Sequence, residues 1–312
     1  MLDVIIIGSG PAGLAAAIYA ERALLDTLVF EKEYMSGGQI INTYEVDNYP
    51  GLKGINGFDM GEQFKQHAEA MGASFVQEEV TAIRDCGAYK EVITDQKTYQ
   101  AKAVVLAMGA KHRLLGVPGE AELSGMGVSY CATCDAAFFR GKTVAVVGGS
   151  DVAAEDALYL ARGCEKVYLI HRRDELRAAA VLSEQIKNTP NIEILWDTVV
   201  ESIQGTDVVE KLSIRNTKSG ENAQLPVQGV FIAVGIEPNS NLAKELVACD
   251  EQGYIVAGED GTTSCLGIFA AGDIRTKALR QVITATADGA NVIHSIQQWM
   301  ASTNEKNTQY GK

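Results

Sequence analysis

Short unbroken apolar runs set the rhythm of this chain, and glycine follows several of them. Val4-Ile5-Ile6-Ile7 is β-branched throughout and too short for a buried helix, the pattern of a strand covered on both faces in a parallel sheet. Gly8-Ser9-Gly10-Pro11-Ala12-Gly13 comes next, and Leu14-Ala15-Ala16-Ala17-Ile18-Tyr19-Ala20 then reads as a helix with a small-residue face. A second strand, Thr27-Leu28-Val29-Phe30, ends at Glu31. The same order restarts after Lys142 with the strand Thr143-Val144-Ala145-Val146-Val147 and the turn Gly148-Gly149-Ser150-Asp151-Val152-Ala153. The helix Ala154-Glu155-Asp156-Ala157-Leu158-Tyr159-Leu160 and the strand Lys166-Val167-Tyr168-Leu169-Ile170 complete that unit. Gly229-Val230-Phe231-Ile232-Ala233-Val234-Gly235 reads as a closing strand and Gly267-Ile268-Phe269-Ala270-Ala271-Gly272-Asp273 as one returning to the first sheet. A helix over 281–299 follows, and the polar residues after it carry no apolar period, so they are expected to be loosely held.

This pattern predicts an α/β protein with two Rossmann-like nucleotide-binding domains, the second inserted in the first. The outer domain is expected over 1–113 and 244–312, and the inserted one over 114–243. A length of 312 residues suits two domains of ordinary size.

The two turns differ in what they ask of a nucleotide. Gly8 permits the tight turn, Gly10 lets backbone approach a pyrophosphate, and Gly13 lets helix pack on strand. The helix start adds unpaired N–H groups facing the phosphates. Glu31 stands where a carboxylate accepts hydrogen bonds from a ribose, so the first site suits an unphosphorylated ribose, as in FAD or NAD. The second unit has His171-Arg172-Arg173-Asp174-Glu175-Leu176-Arg177 in that place, whose guanidinium groups can fork onto a 2′-phosphate; it reads as NADPH. The plainer reading of those arginines is a solvated helix start. Ser150 fills the slot of the middle glycine, putting a Cβ and a hydroxyl beside the pyrophosphate.

Between the units lies Cys131-Ala132-Thr133-Cys134-Asp135, two thiols spaced to close a small disulfide ring, followed by an acid. Half a zinc site and a structural buried pair are the alternatives, but no second Cys-x-x-Cys or His-x-x-x-His supplies more ligands. Cys86, Cys164, Cys249 and Cys265 are scattered without a framework, as expected where thiols stay reduced. A net charge of −13 argues against nucleic-acid binding. Without an apolar run long enough for a bilayer, and with Met1-Leu2-Asp3 entering a strand directly, the expected location is cytoplasmic, with no membrane or metal partner.

Taken in order, Gly8-Ser9-Gly10-Pro11-Ala12-Gly13, Gly37-Gly38-Gln39, Asp47-Asn48-Tyr49-Pro50-Gly51, Cys131-Ala132-Thr133-Cys134-Asp135, His171-Arg172-Arg173 and Ala270-Ala271-Gly272-Asp273 resemble the low-molecular-weight thioredoxin reductases. Arg280-Gln281 and Thr284-Ala285 extend the likeness. The resemblance implies FAD in the outer domain, NADPH in the inserted one, a homodimer, and a thioredoxin or thioredoxin-like protein as partner. It places FAD against Gly8, Ser9, Gly10, Pro11, Ala12, Gly13, Glu31, Gly38, Gln39, Asn48, Gly109, Gly272, Asp273, Arg280 and Gln281. It places NADPH against Gly148, Gly149, Ser150, Asp151, Glu155, His171, Arg172, Arg173 and Arg177. Electrons would pass from NADPH through FAD to a Cys131–Cys134 disulfide. Cys134 would face the flavin, Cys131 would attack the partner's disulfide, and Asp135 would move the proton. The resemblance further implies an inserted domain that rotates on linkers near 111–118 and 237–243.

Phe138 and Phe139 are candidates for a partner-facing surface, though such a pair is more often core. Ala136, Met108 and Ser150 depart from the family pattern, and only Ser150 bears on the electron donor. Rival readings are a dithiol oxidase of the same fold, which would not need the arginines, and a ferredoxin-NADP reductase, which would not need the cysteines. A donor such as reduced ferredoxin and a nucleotide- or zinc-binding scaffold without turnover complete the alternatives.

Overall fold

The computed structural model of the chain describes residues 1–310 apart from Tyr44 and Asp47, with Asn42 and 303–310 described in backbone only. Asp47, part of the Asp47-Asn48-Tyr49-Pro50-Gly51 motif, lies outside the described residues. The chain divides into two compact units, Met1–Lys111 with Glu237–Lys312, and His112–Ile236.

The first unit opens with β1 (Leu2–Ile7), α1 (Pro11–Arg22) and β2 (Thr27–Glu31), and continues through α2 (Gly57–Ala70) and β3 (Ser74–Gln77). A hairpin of β4 (Val80–Asp85) and β5 (Lys90–Thr94) then feeds β6 (Thr98–Leu106), and β7 (Ala110–His112) leads out. The apolar run of β1 is central: it pairs in parallel with β2 on one side and β6 on the other. Successive side chains of a strand point to opposite faces. Val4 and Ile6 accordingly join the helix-covered core with Val29, while Ile5 and Ile7 join a second core with Phe30 and Leu106. An alternating strand would have left one of these faces wet; the continuous run buries both, each side chain contributing about 1.5–3 kcal/mol.

The second unit repeats the scheme. It contains β8 (Val128–Ser129), α3 (Ala132–Asp135), β9 (Thr143–Gly148), α4 (Asp151–Ala161), β10 (Lys166–Ile170), α5 (Ala180–Asn188) and β11 (Ile192–Leu195). The antiparallel strands β12 (Thr198–Gln204), β13 (Lys211–Asn216) and β14 (Asn222–Pro226) form a separate sheet before β15 (Gly229–Ala233). The order β11-β10-β9-β15-β8 is parallel throughout. Val144 and Val146 face the α4 core, and Ala145 and Val147 face the core built with Val200, Ile203, Leu212 and Ile214 of β12 and β13. The three-stranded sheet thus covers the face that a crossover helix leaves open.

The chain re-enters the first unit through β16 (Ile236–Pro238), then adds β17 (Ile268–Ala270) beside β6 and closes with α6 (Val282–Tyr310). Re-entry falls at Glu237, earlier than the expected 243/244 boundary, because Ala243 and Val247 are already buried in the first unit's second core. The final helix also runs past the expected stop at Trp299.

The decisive packing in the first unit is helix on helix without side chains between. A Cβ on Gly289 of α6 would overlap the Ala12 carbonyl oxygen of α1 and meet Ala16 N at 2.7 Å. We expect Gly289→Ala to cost about 1–3 kcal/mol through this overpacking. A thermal melt of the apoprotein checks it, with Tm lowered by roughly 2–4 °C per kcal/mol; an unchanged Tm would show that α6 can slide away freely.

Candidate redox and nucleotide sites

Cys131 and Cys134 form a disulfide across the start of α3. Cys131 caps that turn in an extended conformation, and its carbonyl oxygen accepts the amides of Cys134 at 3.3 Å and Asp135 at 3.2 Å. The helix is a single turn followed by a 3-10 turn over Ala136–Phe139. The Phe139 ring is buried against Phe231, in space left free by the absent side chain of Gly229. Phe139 is therefore core and not a partner-facing residue, and Phe138 packs partly on the same core.

A side chain that the sequence did not single out joins the thiol motif to its acid. The Ser129 hydroxyl donates to Asp135 Oδ2 at 2.6 Å and accepts the Cys131 amide at 3.1 Å. Burial pushes the Asp135 carboxyl up, and the Ser129 hydrogen bond pulls it partly back. The result is an acid that keeps its proton to higher pH than an exposed aspartate, beside a half-buried disulfide. Cys86, Cys164, Cys249 and Cys265 form no disulfide. Burial raises Cys164, Cys249 and Cys265, which lowers their thiolate fraction. Among the described residues no cluster of three or more His, Cys, Asp or Glu side chains gathers, so the zinc reading finds no further ligands.

At the first Gly-rich turn the glycines act as the spacing predicts. Gly8 has φ +102°, and a Cβ there would strike the Ala107 carbonyl oxygen at 2.6 Å; one on Gly13 would overlap the Gly8 carbonyl. Gly38 has φ +60° and lies against Gly10, with only 3.3 Å from its would-be Cβ to Gly10 Cα. Pro11 and Ala12 open α1. Glu31 Oε2 accepts the Ser9 amide at 3.0 Å and the Ser9 hydroxyl at 2.7 Å, and Oε1 accepts Glu33 N at 3.0 Å. Carboxylate oxygens have further lone pairs, so Glu31 can still accept from a ribose.

The turn is joined by loops far away in sequence. Asn48 donates to Gln281 Oε1 at 2.8 Å, and Asn239 pins the Met108 and Gly109 carbonyls at 2.8 and 3.0 Å. Gln39 is exposed nearby in sequence on a 3-10 turn over Gly38–Asn42. Gly272 has φ +83° and packs on Ala12, the would-be Cβ being 2.8 Å away. Among the described residues Asp273 Oδ1 and Arg280 Nε are buried without a hydrogen-bond partner, the Arg280 guanidinium lying 4.0 Å over the Tyr254 ring. Buried polar atoms are rarely left unpaired, so these two mark a place for a polar ligand. A side-chain-free cradle between Gly10 and Gly38 and two orphaned polar atoms fit a diphosphate-linked polyol such as FAD.

At the second turn Ser150 stands at φ −91°, ψ 177°, extended backbone that any residue adopts. The equivalent Gly10 is also extended, at φ −72°, ψ −178°, so serine in this slot costs no backbone strain. Asp151 Oδ1 accepts the Ala179 amide at 2.7 Å, and Glu155 is exposed on α4. Sequence groups His171 with the arginines, but the fold separates them. His171 is 5% exposed, fills the space beside Gly149, and has both ring nitrogens 2.9 Å from carbonyl oxygens, of Gly148 and Glu175. It therefore ties the arginine loop to the Gly-rich turn, helped by Arg177 N, which donates to Gly149 O at 2.7 Å. Arg172, Arg173 and Arg177 are exposed, and among the described residues none pairs with a carboxylate. Three unpaired guanidinium groups on a pinned loop fit a 2′-phosphate.

Comparison with known proteins agrees with this geometry. The family model described as pyridine nucleotide-disulphide oxidoreductase matches residues 2–289. A thioredoxin reductase of Listeria innocua is 44% identical over 97% of this chain and 95% of its own length. A bifunctional thioredoxin reductase/thioredoxin of Mycobacterium leprae is 45% identical over 96% of this chain and 66% of its own length. The crystal structure of thioredoxin reductase from Streptococcus pyogenes superposes with a TM-score of 0.93 at 42% identity, over 97% of this chain and 99% of that one. With two Gly-rich turns, a Cys-x-x-Cys disulfide and matches over nearly its whole length, this chain belongs to the pyridine nucleotide-disulphide oxidoreductases, in the thioredoxin reductase family.

Proposed function

We propose that this chain is an NADPH-dependent flavoprotein that reduces the disulfide of thioredoxin or a thioredoxin-like protein, acting as a cytoplasmic homodimer. The Cys131–Cys134 disulfide, coupled through Ser129 to an acid that burial pushes above the usual carboxylate range, is the observation that carries the reading. The relative that joins a thioredoxin to its reductase in one chain supports the choice of partner. Among the described residues no helix is long and apolar enough to cross a membrane, which agrees with the proposed location.

When bound, FAD and NADPH supply the two electrons that open the disulfide. The first unit holds FAD through Gly8, Ser9, Gly10, Pro11, Ala12 and Gly13, Glu31, Gly38, Gln39, Asn48, Gly109, Gly272, Asp273, Arg280 and Gln281. The second holds NADPH through Gly148, Gly149, Ser150, Asp151, Glu155, Arg172, Arg173 and Arg177, with His171 setting the arginine loop. Cys131, as thiolate, attacks one sulfur of the partner's disulfide and the other sulfur leaves with a proton. Cys134 then displaces the partner from Cys131, restoring the ring and releasing the second thiol. Asp135 gives and recovers the proton in these exchanges, and Ser129 keeps it against the Cys131 backbone. The arginines favour NADPH as donor over reduced ferredoxin, which would have no use for a 2′-phosphate site.

The test is NADPH-dependent reduction of thioredoxin followed by thiol release. Cys131→Ser and Cys134→Ser should each abolish turnover while leaving a yellow protein; retained turnover in both refutes the disulfide mechanism. Replacing Arg172 and Arg173 with Ala should raise KM for NADPH roughly tenfold or more, the loss of charge-assisted hydrogen bonds, with KM for NADH unchanged. No flavin bleaching at millimolar NADPH would overturn the donor. Asp135→Asn should lower turnover by about 100-fold. Activity that needs the protonated acid falls as pH rises through the raised value of Asp135. Ser129→Ala removes the hydrogen bond that pulls that value down, so the same limb should move to higher pH in the kcat profile.

A further inference from the structure

Beneath Gly272 and Asp273 lies a cluster of charges that the proposed reaction does not use. Asp288, in the second turn of α6, is 5% exposed and takes four hydrogen bonds. Its Oδ2 accepts Gly272 N at 2.8 Å, Arg275 Nε at 2.8 Å and Lys277 Nζ at 2.9 Å, and its Oδ1 accepts Arg275 Nη2 at 2.6 Å. Arg275 and the Lys277 side chain are as buried as Asp288 itself. Two cations on one carboxylate leave one positive charge in excess, inside the protein, two and four residues on from Asp273, whose buried Oδ1 has no hydrogen-bond partner among the described residues.

Such a cluster is a poor stabiliser. Each buried ion costs several kcal/mol in desolvation, and well-packed apolar residues of similar size are often as stable. What it does is local. Gly289 lets α6 touch the α1 backbone at Ala12, which brings Asp288 under the amide of Gly272, itself packed on Ala12. Asp288 also occupies both cations. Lys277 and Arg280 pull the Asp273 carboxyl down while burial, first, and Asp288 push it up, so Lys277 is near enough to act on Asp273. Remove the charge on Asp288, and Asp273 is the carboxylate left for Lys277 to pair with.

We propose that Asp288 is a positioning residue for FAD: it fixes the Gly272–Asp273 turn and sequesters Arg275 and Lys277, so that Asp273 keeps an oxygen free for the hydroxyl groups of the ligand. This rests on reading the first unit as the FAD site. A role confined to holding the turn makes a different demand, since any further change in the cluster would then only add damage. The two accounts give opposite signs in a double-variant cycle.

The experiment strips FAD from the purified protein and titrates FAD back, following flavin fluorescence, with circular dichroism as the check on folding. Asp288→Asn should bind FAD about tenfold more weakly or worse, the order expected for losing one charged hydrogen-bond partner. Adding Lys277→Met should restore affinity to within about threefold of the parent, because the cation that captured Asp273 is gone. Unchanged affinity in Asp288→Asn, or a double variant weaker than the single, overturns the proposal. If Asp288→Asn does not fold, a folded double variant near parental affinity still supports it, and failure of both to fold assigns the cluster to folding alone and overturns it. A parent protein that takes up no FAD would sink the FAD reading itself, and this proposal with it.

Discussion

Backbone has to touch backbone in the first unit, and most of its architecture follows from that. Gly13 lies on the Gly8 carbonyl, and Gly289 lies on the Ala12 carbonyl, with no side chain between either pair. The first approach seats α1 on β1 and points its N-terminus into the turn. The second seats α6 on α1 and carries Asp288 to Gly272. Small residues are the only means of closing these distances, since a Cβ at either glycine overlaps main-chain atoms that cannot move aside cheaply. The small-residue faces of α1 and α6 are thus a packing requirement before they are a binding one.

Among the described residues, buried polar groups in both units are paired with few exceptions, and the exceptions are informative. Glu31 is satisfied by Ser9 and Glu33, Asp135 by Ser129, and Asp288 by an amide and two cations. Asp273 Oδ1 and Arg280 Nε are left over. Where the other buried side-chain atoms of the described residues find partners, two leftover atoms describe a ligand site more sharply than any motif does. The second unit makes the same point at its surface, where unpaired guanidinium groups stand on a loop that His171 and Arg177 fasten to the Gly-rich turn. Asp174 and Glu175 stand among those arginines in sequence, yet Asp174 pairs with Lys218, and among the described residues no carboxylate pairs with Arg172, Arg173 or Arg177.

Both β-α-β units are legible in the chain alone, because a continuous apolar strand, a Gly-rich turn and a helix are local patterns with local causes. Val4-Ile5-Ile6-Ile7 and Val144-Ala145-Val146-Val147 must be buried on both faces wherever the rest of the chain goes. The Cys-x-x-Cys pair was equally legible, since its ring closes within four residues. The sheet of β12, β13 and β14 was not foreseen: its strands mix polar and apolar positions, as Lys211 to Asn216 do, and only pairing and one buried face define them.

Sequence by itself therefore determined the fold class, the two turns and the redox pair, all set by residues close together along the chain. Tertiary structure decided what those residues can do. It spent His171 on backbone, moved Phe139 into the core, excused Ser150 from strain, and brought Ser129 to Asp135 and Asp288 to Gly272. Those outcomes depend on which groups are desolvated and which find partners. Burial and pairing are properties of three-dimensional neighbourhoods, and the spacing of residues in a chain does not contain them.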